Sequence, residues 1–152
     1  SDHSAKQALY CVNEAQYSGV LSYGCVYETT GLASGQVEAI LPNGRRRKFP
    51  REVFSENPPP KLLNWKLDDE ILDPSCCYVE VQCDLGGGDH RWVAFVTPRY
   101  LELQLPRTGD PCWVQRHLVI VTEVSLFRIN ESLQWLLRQG LIVEHSLPLG
   151  NG

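Results

Sequence analysis

The stretch YVEVQCD, from Tyr78 to Asp84, alternates apolar and polar residues and is the clearest indication of fold in the chain. Successive side chains of a strand point to opposite faces, so this alternation predicts a β-strand with one buried face. The buried face is predicted to consist of Cys77, Val79, Val81 and Cys83. The opposite face carries Tyr78, Glu80, Gln82 and Asp84. A glycine-rich reversal over Leu85–Asp89 then leads into a second predicted strand, Arg91–Val96.

The residues after this predicted hairpin indicate a helix and a third strand. Thr97 suits an N-cap and Pro98 the first helical position, so we expect a short helix through about Gln104. Arg116–Val121 is almost continuously apolar, which is typical of a strand buried on both faces. We therefore expect this third strand to be central in the sheet.

The last third of the chain predicts a longer helix. Ser125 can cap it and Gly140 can end it. Its apolar stripe consists of Leu126, Ile129, Leu133, Leu136 and Leu137. Leu141–Glu144 reads as a final strand. This part of the chain is thus predicted to be an α/β sandwich, an antiparallel or mixed sheet covered by one long and one short helix.

The first third of the chain predicts short strands instead. The asparagine and glycine of Pro42–Gly44 suit a type I′ turn, so they predict a hairpin. Several short strands in about 50 residues can close a small barrel, whereas a lone hairpin is marginal. The predicted strands are Ala8–Val12, Cys25–Thr29, Gln36–Leu41 and Arg45–Phe49, followed by one helical turn over Pro50–Phe54.

Three consecutive prolines, Pro58–Pro60, separate these two regions. Proline cannot join a helix interior or a central strand, so the chain must run extended there. The sequence therefore predicts an α+β protein of two units, a small β-barrel over residues 1–57 and the α/β sandwich over residues 58–152.

Composition places the chain among folded globular proteins. It has 152 residues, of which 43% are hydrophobic and 21% charged, and a net charge of −4. These values exclude intrinsic disorder and a strongly basic nucleic-acid binder. No apolar run approaches the roughly 18 residues of a membrane span, and the polar start lacks the apolar stretch of a signal peptide. We expect a cytoplasmic protein whose six cysteines are reduced.

Cysteine and histidine give no predicted metal, cofactor or catalytic site. Cys76 and Cys77 would point to opposite faces of a strand, and their spacing to Cys83 is not that of a zinc site. Cysteines in strand-like contexts, Cys11 and Cys25 among them, pack as small hydrophobes. A small enzyme that uses His90 or His117 as a base is one alternative, although a single histidine on a strand is usually structural.

The densest charge run is Arg45–Lys48. Basic strands with nearby aromatics, here Phe49 and Phe54, can bind nucleic acid. The alternation of a strand would divide the run between two faces, and the acidic residues elsewhere would repel phosphates. The other interpretation is an edge strand whose charges discourage aggregation.

Acidic residues are concentrated from Lys61 onward, where twelve acidic residues outnumber eight basic ones. They can form a plain solvated face or a docking surface for a basic protein, because complementary charge speeds encounter and selects partners. The candidate contact residues are Asp68, Asp69, Glu70, Glu80 and Asp84.

Three segments, in order, resemble the eighth numbered family of immunity proteins from bacterial polymorphic toxin systems. The segments are Tyr78–Gly86, Val93–Leu101 with its Thr-Pro-x-x-Leu pattern, and Arg116–Val121 before a helix. The resemblance covers about residues 65–140. More weakly, Gly24–Tyr27 and Phe49–Phe54 resemble SH3-like proteins, which makes the predicted barrel SH3-like.

The immunity resemblance implies a non-catalytic protein that binds and neutralises a cognate toxin domain by occlusion. The alternative is an SH3-like adaptor or nucleic-acid-associated protein that works through Arg45–Phe54. Composition disfavours both a membrane and a nucleic-acid partner, and the oligomeric state stays open.

Overall fold

The computed structural model describes residues 6–150, and over these residues the chain is a mixed α+β protein with ten strands and two α-helices. The strands form two separate five-stranded sheets. Packing divides the chain into one compact unit of residues 1–59 with 138–140, and a second of residues 60–137 with 141–152. Neither helix in the described range is long and apolar enough to cross a membrane.

The first sheet is an antiparallel meander with a short last strand at one edge. Its order is β4-β3-β2-β1-β5, and a 3-10 turn over Arg51–Val53 connects β4 to β5. The predicted strands and the single helical turn are therefore confirmed. The strands are β1 (Lys6–Cys11), β2 (Val26–Gly31), β3 (Gln36–Ile40), β4 (Arg46–Pro50) and β5 (Phe54–Ser55).

Alternate residues of this curled sheet face one apolar core. Phe49 is fully buried and meets the rings of Tyr17 at 5.0 Å and Phe54 at 5.9 Å, both edge-on. Edge-to-face packing is favoured by the quadrupoles of aromatic rings. The buried core consists of Leu9, Cys11, Leu21, Tyr27, Val37, Ala39, Phe49, Val53 and Phe54.

The turn between β3 and β4 differs from the predicted type I′ turn. That turn needs positive φ at both central residues, but Gly44 has φ 83° and Asn43 does not have positive φ. The Gly44 amide instead donates to the Leu41 carbonyl, and the Leu41 amide to the Arg45 carbonyl. This pattern is a three-residue hairpin loop, in which only the glycine takes the left-handed conformation.

The second sheet contains the predicted hairpin at its centre. Its path is β10-β8-β7-β6, and β9 pairs in parallel with β8. The predicted burial of alternate β7 residues is confirmed, because Val79, Val81 and Cys83 are almost wholly buried. The strands are β6 (Asn64–Leu67), β7 (Tyr78–Asp84), β8 (His90–Val96), β9 (Leu118–Ile120) and β10 (Leu147–Pro148).

The prediction of a central third strand is wrong. β9 has three residues and pairs only with the second half of β8, while β10 pairs with the first half. Both therefore occupy the same edge of β8, and Ile120 is 59% exposed. The predicted final strand Leu141–Glu144 is also wrong, because a turn closes there when the His145 amide donates to the Leu141 carbonyl.

The two helices begin where their capping residues predict. Helix α1 (Pro98–Thr108) starts after Thr97, whose hydroxyl accepts a hydrogen bond from the Tyr100 amide. It extends four residues beyond the predicted end, with Pro106 in its last turn, and Gly109 follows it in the left-handed conformation.

Helix α2 (Leu126–Arg138) carries most of the predicted apolar stripe. Ile129, Leu133, Leu136 and Leu137 are buried, whereas Leu126 is 60% exposed in the first turn. The Ser125 hydroxyl caps the helix by accepting from the Arg128 amide at 3.1 Å. The indole N–H of Trp65 donates to Asn130, which places α2 beside the buried side of β6 and β7.

Candidate functional site

The candidate site lies on the face of the second sheet opposite to the buried face of β7. Tyr78, Glu80, Gln82 and Asp84 are all half-buried there, as the alternation predicts. Because directly paired residues share a face, the register adds Lys66 and Trp92 on either side of Gln82. We call this set, with Asp68, the open face.

Three of the five predicted acidic contact residues lie on or beside the open face. Asp68 follows β6, and its carboxylate accepts a 2.7 Å hydrogen bond from the Gln82 amide. Its own backbone amide donates to the Glu80 carbonyl. Asp84 lies at the far end of β7 and accepts from the Gly86 amide at 2.9 Å. Glu80 and Asp84 are thus held on a rigid strand.

The other two predicted residues, Asp69 and Glu70, are not on the sheet. They lie in the segment that follows β6, where both are exposed. The predicted acidic residues therefore fall into two groups. Asp68, Glu80 and Asp84 lie on or beside the open face, whereas Asp69 and Glu70 lie in the adjacent loop.

Aromatic residues, which the sequence did not single out, cover one end of the open face. Tyr78 stacks on Tyr100 of α1 with ring centroids 5.8 Å apart and meets Trp113 at 6.2 Å. Trp92 meets His117 edge-on at 4.1 Å. The position of Trp92 opposite Gln82 follows from the hairpin register, but Trp113 belongs to a loop that no local pattern assigns to this face.

A polar network centred on Gln115 links these rings. Its amide nitrogen donates to the Tyr78 hydroxyl at 2.9 Å and lies 3.0 Å from His117 Nε2, while its oxygen accepts from the Trp113 indole at 2.6 Å. Since the amide nitrogen is a donor, His117 Nε2 acts as the acceptor and the ring is neutral. Burial lowers the pKa of His117, and the nearby Glu80 opposes that shift.

The remaining sequence candidates do not assemble into a site. His90 is exposed at the start of β8, whereas His117 is buried. All six cysteines are free. Cys11 and Cys83 are buried as predicted, whereas Cys25, directly before β2, is exposed. Within residues 6–150 no group of three metal-ligating side chains could hold an ion.

The glycine loop and the basic run also have defined places. Gly86, Gly87 and Gly88 all have positive φ and join β7 to β8 as a hairpin loop, as predicted. Residues 45–48 are exposed, and Arg46–Lys48 belong to β4, which is an edge strand as one of the two interpretations predicts.

Comparison of the chain with protein-family models, with curated proteins and with solved structures finds no match. The open face is thus interpreted from its own chemistry. Aromatic residues are enriched at protein interfaces in general, and charged groups there contribute to the choice of partner.

Proposed function

We propose that the chain is a non-catalytic, cytoplasmic immunity-type protein, which neutralises a toxin domain by covering it with the open face. The observation that carries this proposal is the combination of Glu80, Asp84 and Asp68 with the half-buried rings of Tyr78 and Trp92. Occlusion requires only a complementary surface. The resemblance of residues 65–140 to an immunity family supports the same function.

The charge of the proposed surface indicates the chemistry of the partner. Carboxylates at the open face and in the adjacent loop favour a basic toxin domain, and the excess of twelve acidic over eight basic residues from Lys61 onward adds to the attraction. A domain that acts on nucleic acid fits this description, because such domains carry basic surfaces.

The test is a comparison of three baits in a pull-down from the native cell. The wild-type chain should retain a near-stoichiometric protein that is toxic when expressed alone and silenced by co-expression. Glu80→Lys with Asp84→Lys should lose that protein, whereas Glu123→Lys, an exposed acid between β9 and α2, should retain it. Equal retention of the toxic protein by all three baits would exclude the open face as the interface.

The finer fold assignment of the first unit is also a proposal. We infer that it is an SH3-like barrel, because a five-stranded meander in the order β4-β3-β2-β1-β5 with a 3-10 turn before its last strand fits that class. Fold alone names no ligand, so the function of this unit must be sought in its surface.

A further inference from the structure

A cleft of about 610 Å³ opens on the first unit, and none of the residues that line it belongs to the open face. The loop after β1 and the turn between β3 and β4 form its two walls. Arg45, Arg46 and Arg47 line it together with the apolar side chains of Val20 and Leu41. Among the described residues that line the cleft there is no carboxylate.

Two of the three arginines are free to bind a ligand. Arg46 lies 3.6 Å from Glu38, an exposed ion pair, but the guanidinium groups of Arg45 and Arg47 make no ion pair within the described chain. A guanidinium group presents a planar fork of donors that matches a carboxylate or phosphate. The cleft therefore presents two guanidinium groups that are available to bind an anion.

Arg47 is also held in place before any ligand binds. Its guanidinium carbon lies 5.7 Å from the ring centre of Tyr17 and 5.5 Å from that of Phe49. Attraction of the cation to both rings restrains the side chain, so less entropy is lost when it binds an anion.

We propose that this cleft binds a short acidic peptide segment that also carries an apolar side chain. The guanidinium groups of Arg45 and Arg47 would bind the carboxylates of the peptide. Its apolar side chain would contact Val20 and Leu41. Both apolar residues are half-buried and pack on the barrel core, so they form a firm wall.

The structure favours a peptide over a nucleic acid. Phe49 and Phe54, the aromatics that could have stacked on bases, are 0% and 3% exposed and belong to the core. The first 60 residues carry six basic and six acidic residues. They therefore lack the excess of positive charge that attracts the phosphate backbone of a nucleic acid. Lys48 lies beside Glu38 on the other face of β4, so the basic run does not act as one patch.

Fluorescence anisotropy with a labelled glutamate-rich peptide that contains one leucine tests the proposal at low ionic strength. Arg45→Gln with Arg47→Gln should weaken binding at least about tenfold, as expected for lost charge-assisted bonds. The matched control Lys48→Gln removes the same charge from the other face of the strand and should change the dissociation constant less than about twofold. Because replacing Arg47 also removes its contacts with the rings of Tyr17 and Phe49, Arg45→Gln alone is measured too.

Several outcomes would overturn the proposal. Equal weakening by Lys48→Gln would indicate diffuse charge attraction, and full binding of a peptide whose leucine is replaced by serine would exclude the apolar wall. Displacement of the peptide by a lower concentration of a single-stranded oligonucleotide than of unlabelled peptide would identify a nucleic-acid site. None of these results involves the open face, so the proposed immunity function is tested separately.

Discussion

Arg91 illustrates how much one side chain can determine without any local signal. From the sequence it is only a cation near the glycine loop. In the structure its side chain is 15% exposed and pairs with Asp89 at 3.1 Å. Its Nη1 also donates to the carbonyls of Val143 and Ser146, which fastens the segment before β10 to β8. Charge-assisted bonds of this kind are among the stronger ones in proteins, and the two carbonyl partners are more than 50 residues away in sequence.

His117 gives a prediction about the dependence of stability on pH. Burial lowers the pKa of this ring below its ordinary value of 6.5, so the unfolded chain binds its proton more readily than the folded chain. The stability that the neutral ring contributes is therefore complete above pH 6.5 and is lost as the pH falls below it.

Urea unfolding between about pH 7.5 and about pH 5 measures this effect. The wild-type chain should lose more free energy of unfolding across that range than His117→Gln does. The matched control is His90→Gln, which changes an exposed ring at the start of β8. Identical slopes for all three proteins would contradict a buried neutral histidine.

At the scale of elements, what the sequence predicts well is what local patterns encode. The alternation of β7 and the caps at Thr97 and Ser125 each act within a few residues, so the hairpin and both helix starts are confirmed. The positions of β9 and β10 depend on which strand edge is vacant. An apolar run such as Leu118–Ile120 can pair with one neighbouring strand or with two, and its sequence does not distinguish the two cases. Its place at an edge could therefore not be predicted.

The candidate site likewise has one part that the local sequence pattern predicts and one part that it does not. The open-face positions of Glu80 and Asp84 follow from the period of a strand, and both were predicted. The aromatic end of the face brings together a strand, a helix and the loop that holds Trp113 and Gln115. No spacing in the sequence links residues 78, 100 and 113, so this part of the site required the tertiary structure.

Thr97 connects β8, β7 and α1, and its removal should affect all three. The side chain is fully buried, and its hydroxyl accepts from the Cys77 amide at 3.0 Å and from the Tyr100 amide at 3.4 Å. Thr97→Val keeps the shape but leaves both donors without this acceptor, so the free energy of unfolding should fall by about 1–3 kcal/mol.

Chemical denaturation of three proteins checks the role of Thr97. Thr97→Ser keeps the hydroxyl and should recover most of the loss, whereas Thr97→Val should not. A valine variant as stable as the wild type would mean that the hydroxyl contributes nothing to the cap. Loss of the same size in both variants would mean that the packing of the methyl group, which only Thr97→Ser removes, contributes as much as the hydroxyl.

For the whole molecule, the two parts of the acidic set should influence different rate constants of binding to a basic partner under the proposed function. Asp69 and Glu70 are exposed in a loop, so they add to the long-range field without a fixed contact. Glu80 and Asp84 are half-buried on β7 and would be desolvated in the complex. Long-range charge mainly sets the association rate, and buried contacts mainly set the dissociation rate.

Surface plasmon resonance on the isolated partner separates these rates. Asp69→Lys with Glu70→Lys should slow association at low ionic strength, by about tenfold, and the difference should shrink as salt screens the field. Glu80→Lys with Asp84→Lys should raise the dissociation rate, and this increase should persist in high salt, because contacts made away from solvent are screened less. If the loop pair instead controlled dissociation, the interface would include the segment after β6, and the open face would be only part of it.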